Sequence, residues 1–438
     1  MFRLWKQPLW RRVVLALSLT VVVAAGIAHW RGVYVDWRIR SARSLLLLGD
    51  GHDVDAALRV LRAAEGIEHP NRPELLYLLG RAERRAGNID QAFDYLQRAR
   101  RAGWPPREIQ EQLQLARIQR GHFEDLHQSL GGLTSRPASD EFAYEAYEAM
   151  AKGYLYAYRF ADALHCLDYW TEWCPEAVEP RVMRAGIWEQ SQNWQRAIDE
   201  YRAVLRIDPS HREARLAMAG NMLLQLNQVQ DACREFQSCL EDYPDDVSAV
   251  LGLAACERHL GNPQNAEQRL RILLQRNLSS DQRANTQLEL GRVLLDRREL
   301  DEAQGLLSEA VAADPRNSSA QYALGTAYAA AGQTDKAAAC FDRSRVLQEQ
   351  FSRLTDITTE LVTHPERYEL RWEAGTILME QGLSAEGAAW MSTVLMYDPH
   401  HKPTHEALAN YYETVKPDPQ MAAHHRQEAL RAAGQALN

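Results

Sequence analysis

Small residues recur along this chain in a fixed register against large apolar ones. A small residue in helical surroundings stands at Gly80, Ala151, Ala185, Gly220, Ala254, Gly291, Gly325, Gly375 and Ala409, with a dominant spacing of 34 residues. Twelve residues after most of these comes a second small residue: Ala92, Ala163, Ala197, Ala232, Ala266, Ala303, Ala337 and Gly387. Four further on is a large apolar residue, at Leu96, Leu167, Tyr201, Phe236, Leu270, Leu307, Phe341 and Met391. A proline column (Pro175, Pro209, Pro244, Pro315, Pro399) follows, and proline, which lacks an amide donor and clashes with the preceding helical turn, marks a boundary between units. Gly87, Gly121, Gly261, Gly332 and Gly382 fall midway through the unit. The pattern predicts repeated pairs of antiparallel helices, about fourteen residues apiece, joined by a short turn. Small residues are expected where the paired helices cross, because bulk there would push the axes beyond about 8–10 Å. The large residue is expected in the seam between units.

Two intervals break the period. The 71 residues after Gly80 hold one degenerate unit at 107–135, where Gly121 keeps the turn but Leu126 replaces the expected alanine. The 50 residues from Gly325 to Gly375 leave room for an extra or extended helix. The predicted organisation is a less regular first array at 31–130, an irregular connector at 131–141, a regular array at 142–347, an extra or extended helix at 348–366, and final units with a polar cap at 367–438.

Ahead of the array, a short basic segment (1–12) precedes an uncharged apolar run, VVLALSLTVVVAAGIA at 13–28, closed by Trp30. Sixteen helical residues span about 24 Å, which tryptophan and snorkelling arginine at the ends bring close to a hydrocarbon core of about 30 Å. Residues 13–30 are therefore expected to be a transmembrane anchor. The alternative is a cleaved signal peptide, since Gly26-Ile27-Ala28 suits a cleavage site. Four basic residues before the run (Arg3, Lys6, Arg11, Arg12) and four after it (Arg31, Arg38, Arg40, Arg43) leave orientation balanced. An extracytoplasmic or periplasmic bulk is the preferred expectation.

The register resembles that of tetratricopeptide-repeat proteins. Within 318–346, Leu324-Gly325, Tyr328, Gly332, Ala337 and Phe341 stand at the family's positions, and 178–209 and 213–244 match nearly as well. The resemblance implies an all-α fold, a right-handed superhelical solenoid of about ten to eleven repeats. It also implies a concave face lined by first helices that binds protein or peptide clients. Carried over residue by residue, that face includes Glu74, Tyr77, Arg81, Arg84 and Arg85, then Glu145, Glu148, Lys152, Leu155 and Tyr156. Further along it includes Asn221, Gln225, Arg258, His259, Arg292, Asp296, Tyr322, Trp372, Thr376, Met379 and Glu380. This reads as a basic start, an acidic shoulder and an aromatic far end, with Tyr322 and Trp372 the favoured client contacts. The function implied is a membrane-anchored scaffold in bacterial envelope assembly. A helper subunit of an envelope enzyme, such as a glycosyltransferase or a cytochrome-assembly machine, is the alternative.

Composition narrows the remaining chemistry. Fifty Lys and Arg against 59 Asp and Glu give a net charge of −9, which argues against a general nucleic-acid binder. Motifs for zinc ribbons, haem attachment, metalloproteases, nucleophile elbows and phosphate loops are missing from the sequence, so no catalytic residue, cofactor, metal or small-molecule substrate is expected. Of the six cysteines (166, 174, 233, 239, 256, 340), Cys239, Cys166 and Cys340 fall at repeated second-helix positions, which suggests packing thiols, while the even count permits disulfides. His400, His401, His405, His424 and His425 are expected at the surface rather than around a metal.

Overall fold

The computed structural model describes residues 30, 32–47, 51–123 and 140–435. The apolar run 13–28, Leu126 and residues 131–139 of the connector lie outside them. Among the described residues all regular structure is helical, and no helix is long and apolar enough to cross a membrane.

The chain divides into two compact units, Met1–Tyr156 and Ala157–Asn438. The boundary falls after the first helix of a repeat, not at the connector, whose residues 140 and 141 open a helix instead. The first unit contains α1 (32–47), α2 (Gly51–Arg62), α3 (Arg72–Arg85), α4 (Ile89–Arg101), α5 (Pro106–Gln119) and α6 (Asp140–Tyr156). The second begins with α7 (Phe160–Trp173), α8 (Glu179–Gln190), α9 (Trp194–Ile207), α10 (Arg212–Leu224), α11 (Val229–Asp242), α12 (Val247–His259) and α13 (Pro263–Leu274). It continues with α14 (Ser280–Asp296), α15 (Leu300–Ala313), α16 (Ser318–Ala330), α17 (Thr334–Thr363), α18 (Tyr368–Glu380), α19 (Ser384–Val394), α20 (Lys402–Thr414) and α21 (Pro419–Gln435). The long interval after Gly325 is occupied by α17, a single uninterrupted helix of 30 residues.

Four units are held by a glycine of the first helix facing a large side chain of the second. A Cβ added to Gly80 would lie 2.7 Å from Leu96, to Gly291 2.6 Å from Leu307, to Gly325 2.8 Å from Phe341, and to Gly375 2.6 Å from Met391. The large residue thus packs against the glycine of its own unit as well as filling the seam, where Leu96 clusters with Ile109 and Leu113, and Met391 with Leu408 and Tyr411, of the next unit. Phe236 is different, because its ring covers Gly252 of the following unit. That leaves Gly220 with nothing within 4 Å of an added Cβ, so its small size is not required for packing. Ala92, Ala163, Ala197, Ala232 and Ala303 are wholly buried and Ala337 nearly so, and these alanines complete the helix crossings.

The turn inside nine of the units takes one left-handed residue. Glycine supplies it at 87, 121, 261, 332 and 382, while Tyr158, Gln192, Asn227 and Arg298 adopt φ of 51°, 53°, 54° and 62° at the equivalent places. A side chain there costs about 1–2 kcal/mol, so these four turns are held by their surroundings. Between units, side chains cap the next helix: His211, Asp246, Ser279 and Asn317 each accept from a backbone amide three residues on.

The second unit closes on itself. Arg371 of α18 is fully buried and donates from Nη1 to the Ala157 carbonyl at 2.8 Å. Its Nη2 donates to the Tyr158 carbonyl at 3.3 Å and the Pro365 carbonyl at 3.0 Å. The Tyr158 ring stacks on Trp390 with centroids 3.5 Å apart, and α17 packs on α7 and α8. Burial lowers the Arg371 pKa, and no carboxylate pairs with it among the described residues. Its charge is solvated by peptide carbonyls and by the Tyr397 ring, 4.9 Å away.

Two measurements test this architecture. Gly325→Leu should destabilise the protein by about 2–3 kcal/mol through overpacking, while Gly220→Ala should be neutral or stabilise by up to about 1 kcal/mol; denaturant midpoints compare the two. Arg371→Met should raise amide hydrogen exchange at 157–173 and 367–397 together, leaving the middle repeats protected.

Candidate functional site

The first-helix face of the first unit is closed by its own charges. Arg81, Arg84 and Arg85 lie on one side of α3, where the resemblance placed them, but all three are buried, Arg84 completely. Arg84 Nη2 donates to Glu145 at 2.8 Å and Nε to Gln112 at 2.8 Å. Arg81 pairs with both Glu141 and Glu145. Arg85 Nε donates to Glu148 at 2.8 Å and Nη1 to the Leu46 carbonyl at 3.0 Å. Lys152 completes the lattice, donating to Glu148 at 2.7 Å. Burial by itself would raise the Glu145 carboxyl, but Arg81, Arg84 and Arg85 outweigh it and hold the pKa at about 2. The expected basic start and acidic shoulder therefore neutralise each other.

Beside this lattice is an open cavity of about 440 Å³. Tyr77 stacks on Trp104 at its wall, with centroids 4.9 Å apart, and Trp104 donates its indole N–H to Glu108. Glu74, the remaining candidate on α3, pairs with Arg43.

In the second unit the candidate residues are more accessible but mostly paired. Asn221 donates to Glu189 at 2.6 Å, whereas Gln225 at the end of the same helix is exposed. Arg258 and Arg292 share Glu289, and Arg258 also reaches Asp296 at 3.5 Å. The two Arg258 pairs bridge α12 and α14 across neighbouring first helices, while Arg292–Glu289 lies within α14.

The two favoured aromatics separate. Tyr322 is 58% exposed, leaning on Phe341 with centroids 5.4 Å apart. Trp372 is half-buried, packed on the cluster of Ala388, Met391, Leu408 and Tyr411, with His401 5.4 Å away. Of the two, Tyr322 is the one largely presented to solvent.

A second cavity, of about 510 Å³, lies on a face that attention to first helices overlooked. Leu240 and Pro244 with Val250, and Ile272, Arg269 and Arg276 of and beside α13, line it. Its sequence signal is faint: Ile272, an apolar residue on a second helix, is 51% exposed.

The histidines correct another expectation. His405 and His425 are buried, not at the surface. His405 Nε2 donates to the Pro399 carbonyl at 2.9 Å, so its Nδ1 accepts from His425 Nδ1 at 2.9 Å. Both His405 nitrogens are thus occupied. Among the described residues no cluster of His, Cys, Asp or Glu has the arrangement of a metal site. Burial pushes the thiols of Cys166 and Cys256 up to about 12, far from a reactive thiolate.

The repeats at 42–105, 148–212, 217–281 and 288–350 match the tetratricopeptide repeat over more than half of the sequence, and the chain belongs to that family. Proteins of this class generally act as non-catalytic scaffolds that bind protein or peptide partners. No curated protein matches the chain. Among solved structures it is similar to YrrB, a tetratricopeptide-repeat protein with an unusual peptide-binding site, at 20% identity over 45% of this chain and 100% of that one, TM-score 0.31. A tetratricopeptide-repeat protein from Parabacteroides merdae is 19% identical over 68% of this chain and 99% of its own, TM-score 0.35. The Cut9–Hcn1 hetero-tetramer of the APC/C gives 16% identity, coverage of 91% and 80%, and TM-score 0.35.

Two outcomes are expected of these charges. Arg84→Ala should cost about 3–5 kcal/mol, because it breaks a fully buried ion pair and leaves Glu145 with Arg81 as its one remaining paired guanidinium among the described residues. Burial, then the neighbouring His405 and His424, depresses His425 from 6.5 to about 4, with Glu428 opposing. An unfolded His425 then takes up a proton before the folded one does. Stability from this site should be complete above pH 6.5 and decline as pH falls towards 4, and His425→Gln should flatten that slope in thermal melts.

Proposed function

We propose that the protein is a membrane-tethered, non-catalytic scaffold that holds a protein or peptide client on the first-helix face of its second unit, at a bacterial cell envelope. One observation carries the choice of face. In the first unit the first-helix arginines are buried against their own glutamates, whereas in the second Tyr322 remains largely exposed at a position that the repeat does not need for packing. An aromatic ring already oriented by Phe341 offers apolar area and a polar tip with little ordering entropy left to lose, the usual character of an interface anchor.

The tether is read from the apolar run at 13–28, with the bulk of the chain on the extracytoplasmic side. Confinement to a surface raises the effective concentration of a held client, so a modest intrinsic affinity suffices. Crosslinking and pull-down of the full chain from intact membranes tests the client face. Tyr322→Ala should lose partners selectively at unchanged thermal stability, while Trp372→Ala should also lower the melting temperature. An unchanged partner set with Tyr322→Ala would move recognition off this face.

A further inference from the structure

The helix α1 carries two apolar stripes on opposite sides. Val35, Ile39, Ala42 and Leu46 form the inner one, almost wholly buried in the first core with Ala57, Leu61 and Leu79. The outer one runs through Val33 and Trp37, which are 48% and 54% exposed, and continues through Arg40 and Ser44 to Leu47; Trp30, 74% exposed, stands three residues ahead of Val33 in the same spacing. The alternating steps of three and four residues keep these positions on one helical face. Packing of the repeats accounts for the inner stripe and leaves the outer one exposed among the described residues of its unit.

Charge and chain position distinguish the occupants. Over 32–47 the helix holds Arg38, Arg40 and Arg43 against a single acid, Asp36. Arg43 is used by Glu74, whereas Arg40 is exposed and, among the described residues, donates to the Asp36 carbonyl. Arg38 lies over the rings of Tyr34 and Trp37, at 4.6 and 5.7 Å, extending the aromatic surface with a cation. Tryptophan flanked by arginine is the composition that settles at the boundary between headgroups and acyl chains. The apolar run 13–28 ends two residues before Trp30, so a bilayer holding that run lies directly against the start of the stripe.

We infer that the outer face of α1 docks on an anionic bilayer surface, with the helix reclining along the headgroup boundary. The inference rests on the membrane tether proposed above. Geometry requires the reclined pose: from residue 28 to Trp37 a standing helix would climb about 14 Å, whereas the headgroup layer is only about 5–8 Å deep on each side. A reclined helix keeps Trp30, Val33 and Trp37 at one depth and sets Arg40 among lipid phosphates. Because the inner stripe is part of the first core, this pose would also fix how the first repeats face the membrane.

The full chain reconstituted in phosphatidylcholine vesicles, with and without phosphatidylglycerol, provides the test. Acyl-brominated lipid quenches tryptophan at the boundary; Trp37→Phe should remove about one tryptophan's share of the eleven from the quenched signal, and more so with phosphatidylglycerol present. Equal quenching in both proteins would overturn the inference. So would disulfide crosslinking between copies carrying Trp37→Cys or Ser44→Cys, beyond that of the parent chain, which would mean that a second copy covers the stripe. Alkaline carbonate extraction separates the two claims. A chain washed off the vesicles refutes the tether and the docking with it, while one that stays but shows no Trp37 quenching refutes the docking alone.

Discussion

The contact between a glycine and a large side chain sixteen residues later is the constraint on which this protein is built. At Gly80, Gly291, Gly325 and Gly375 an added carbon would fall at 2.6–2.8 Å from Leu96, Leu307, Phe341 or Met391. The two helices can approach only because one offers no side chain, and the partner then fills the groove so made. Each such joint is local in sequence, so loop-closure entropy is small and a helix pair forms without waiting for distant chain. Stability then accumulates by stacking, since each pair leaves apolar surface that only its neighbour covers.

Charge is handled differently in the two units. The first buries a lattice of arginine and glutamate across its first helices, where desolvation is offset because each buried guanidinium meets a carboxylate or a carbonyl. The lattice ties up Arg81, Arg84, Arg85, Glu145 and Glu148 against one another, so these charges are not offered to a partner. In the second unit Arg258, Glu289 and Arg292 form thinner, partly solvated rungs, and Arg371 spends its charge on peptide carbonyls from the opposite end of the unit. That last contact draws a backbone turn with Tyr158 at positive φ into place, which explains why a bulky residue is tolerated there.

Much of the architecture was legible before any coordinates. The 34-residue register placed the helix pairs, their crossings and their turns, because each depends on residues within one unit. Gly220 shows the limit of that reading: it occupies the right column, yet Phe236 packs on Gly252 of the next unit instead. Leu96 and its equivalents reach both ways, against the glycine of their own unit and into the cluster of the next, and periodicity reports that such a residue is buried but not against how many neighbours. The pairing of Arg84 with Glu145, across 61 residues, left no periodic trace at all.

The sequence by itself determined the repeating helix pair and the family, because small-against-large packing, turn glycine and boundary proline act over short distances and repeat often enough to be recognised. Only the tertiary structure decided which polar residues remain available to a partner. An arginine on a first helix looks the same in sequence whether it faces solvent, as a candidate for binding, or a glutamate from a later helix. Burial and pairing at Arg81, Arg84, Arg85 and Arg371 arise from the path of the stacked chain, and that path depends on the sum of many joints, not on any residue's immediate neighbours.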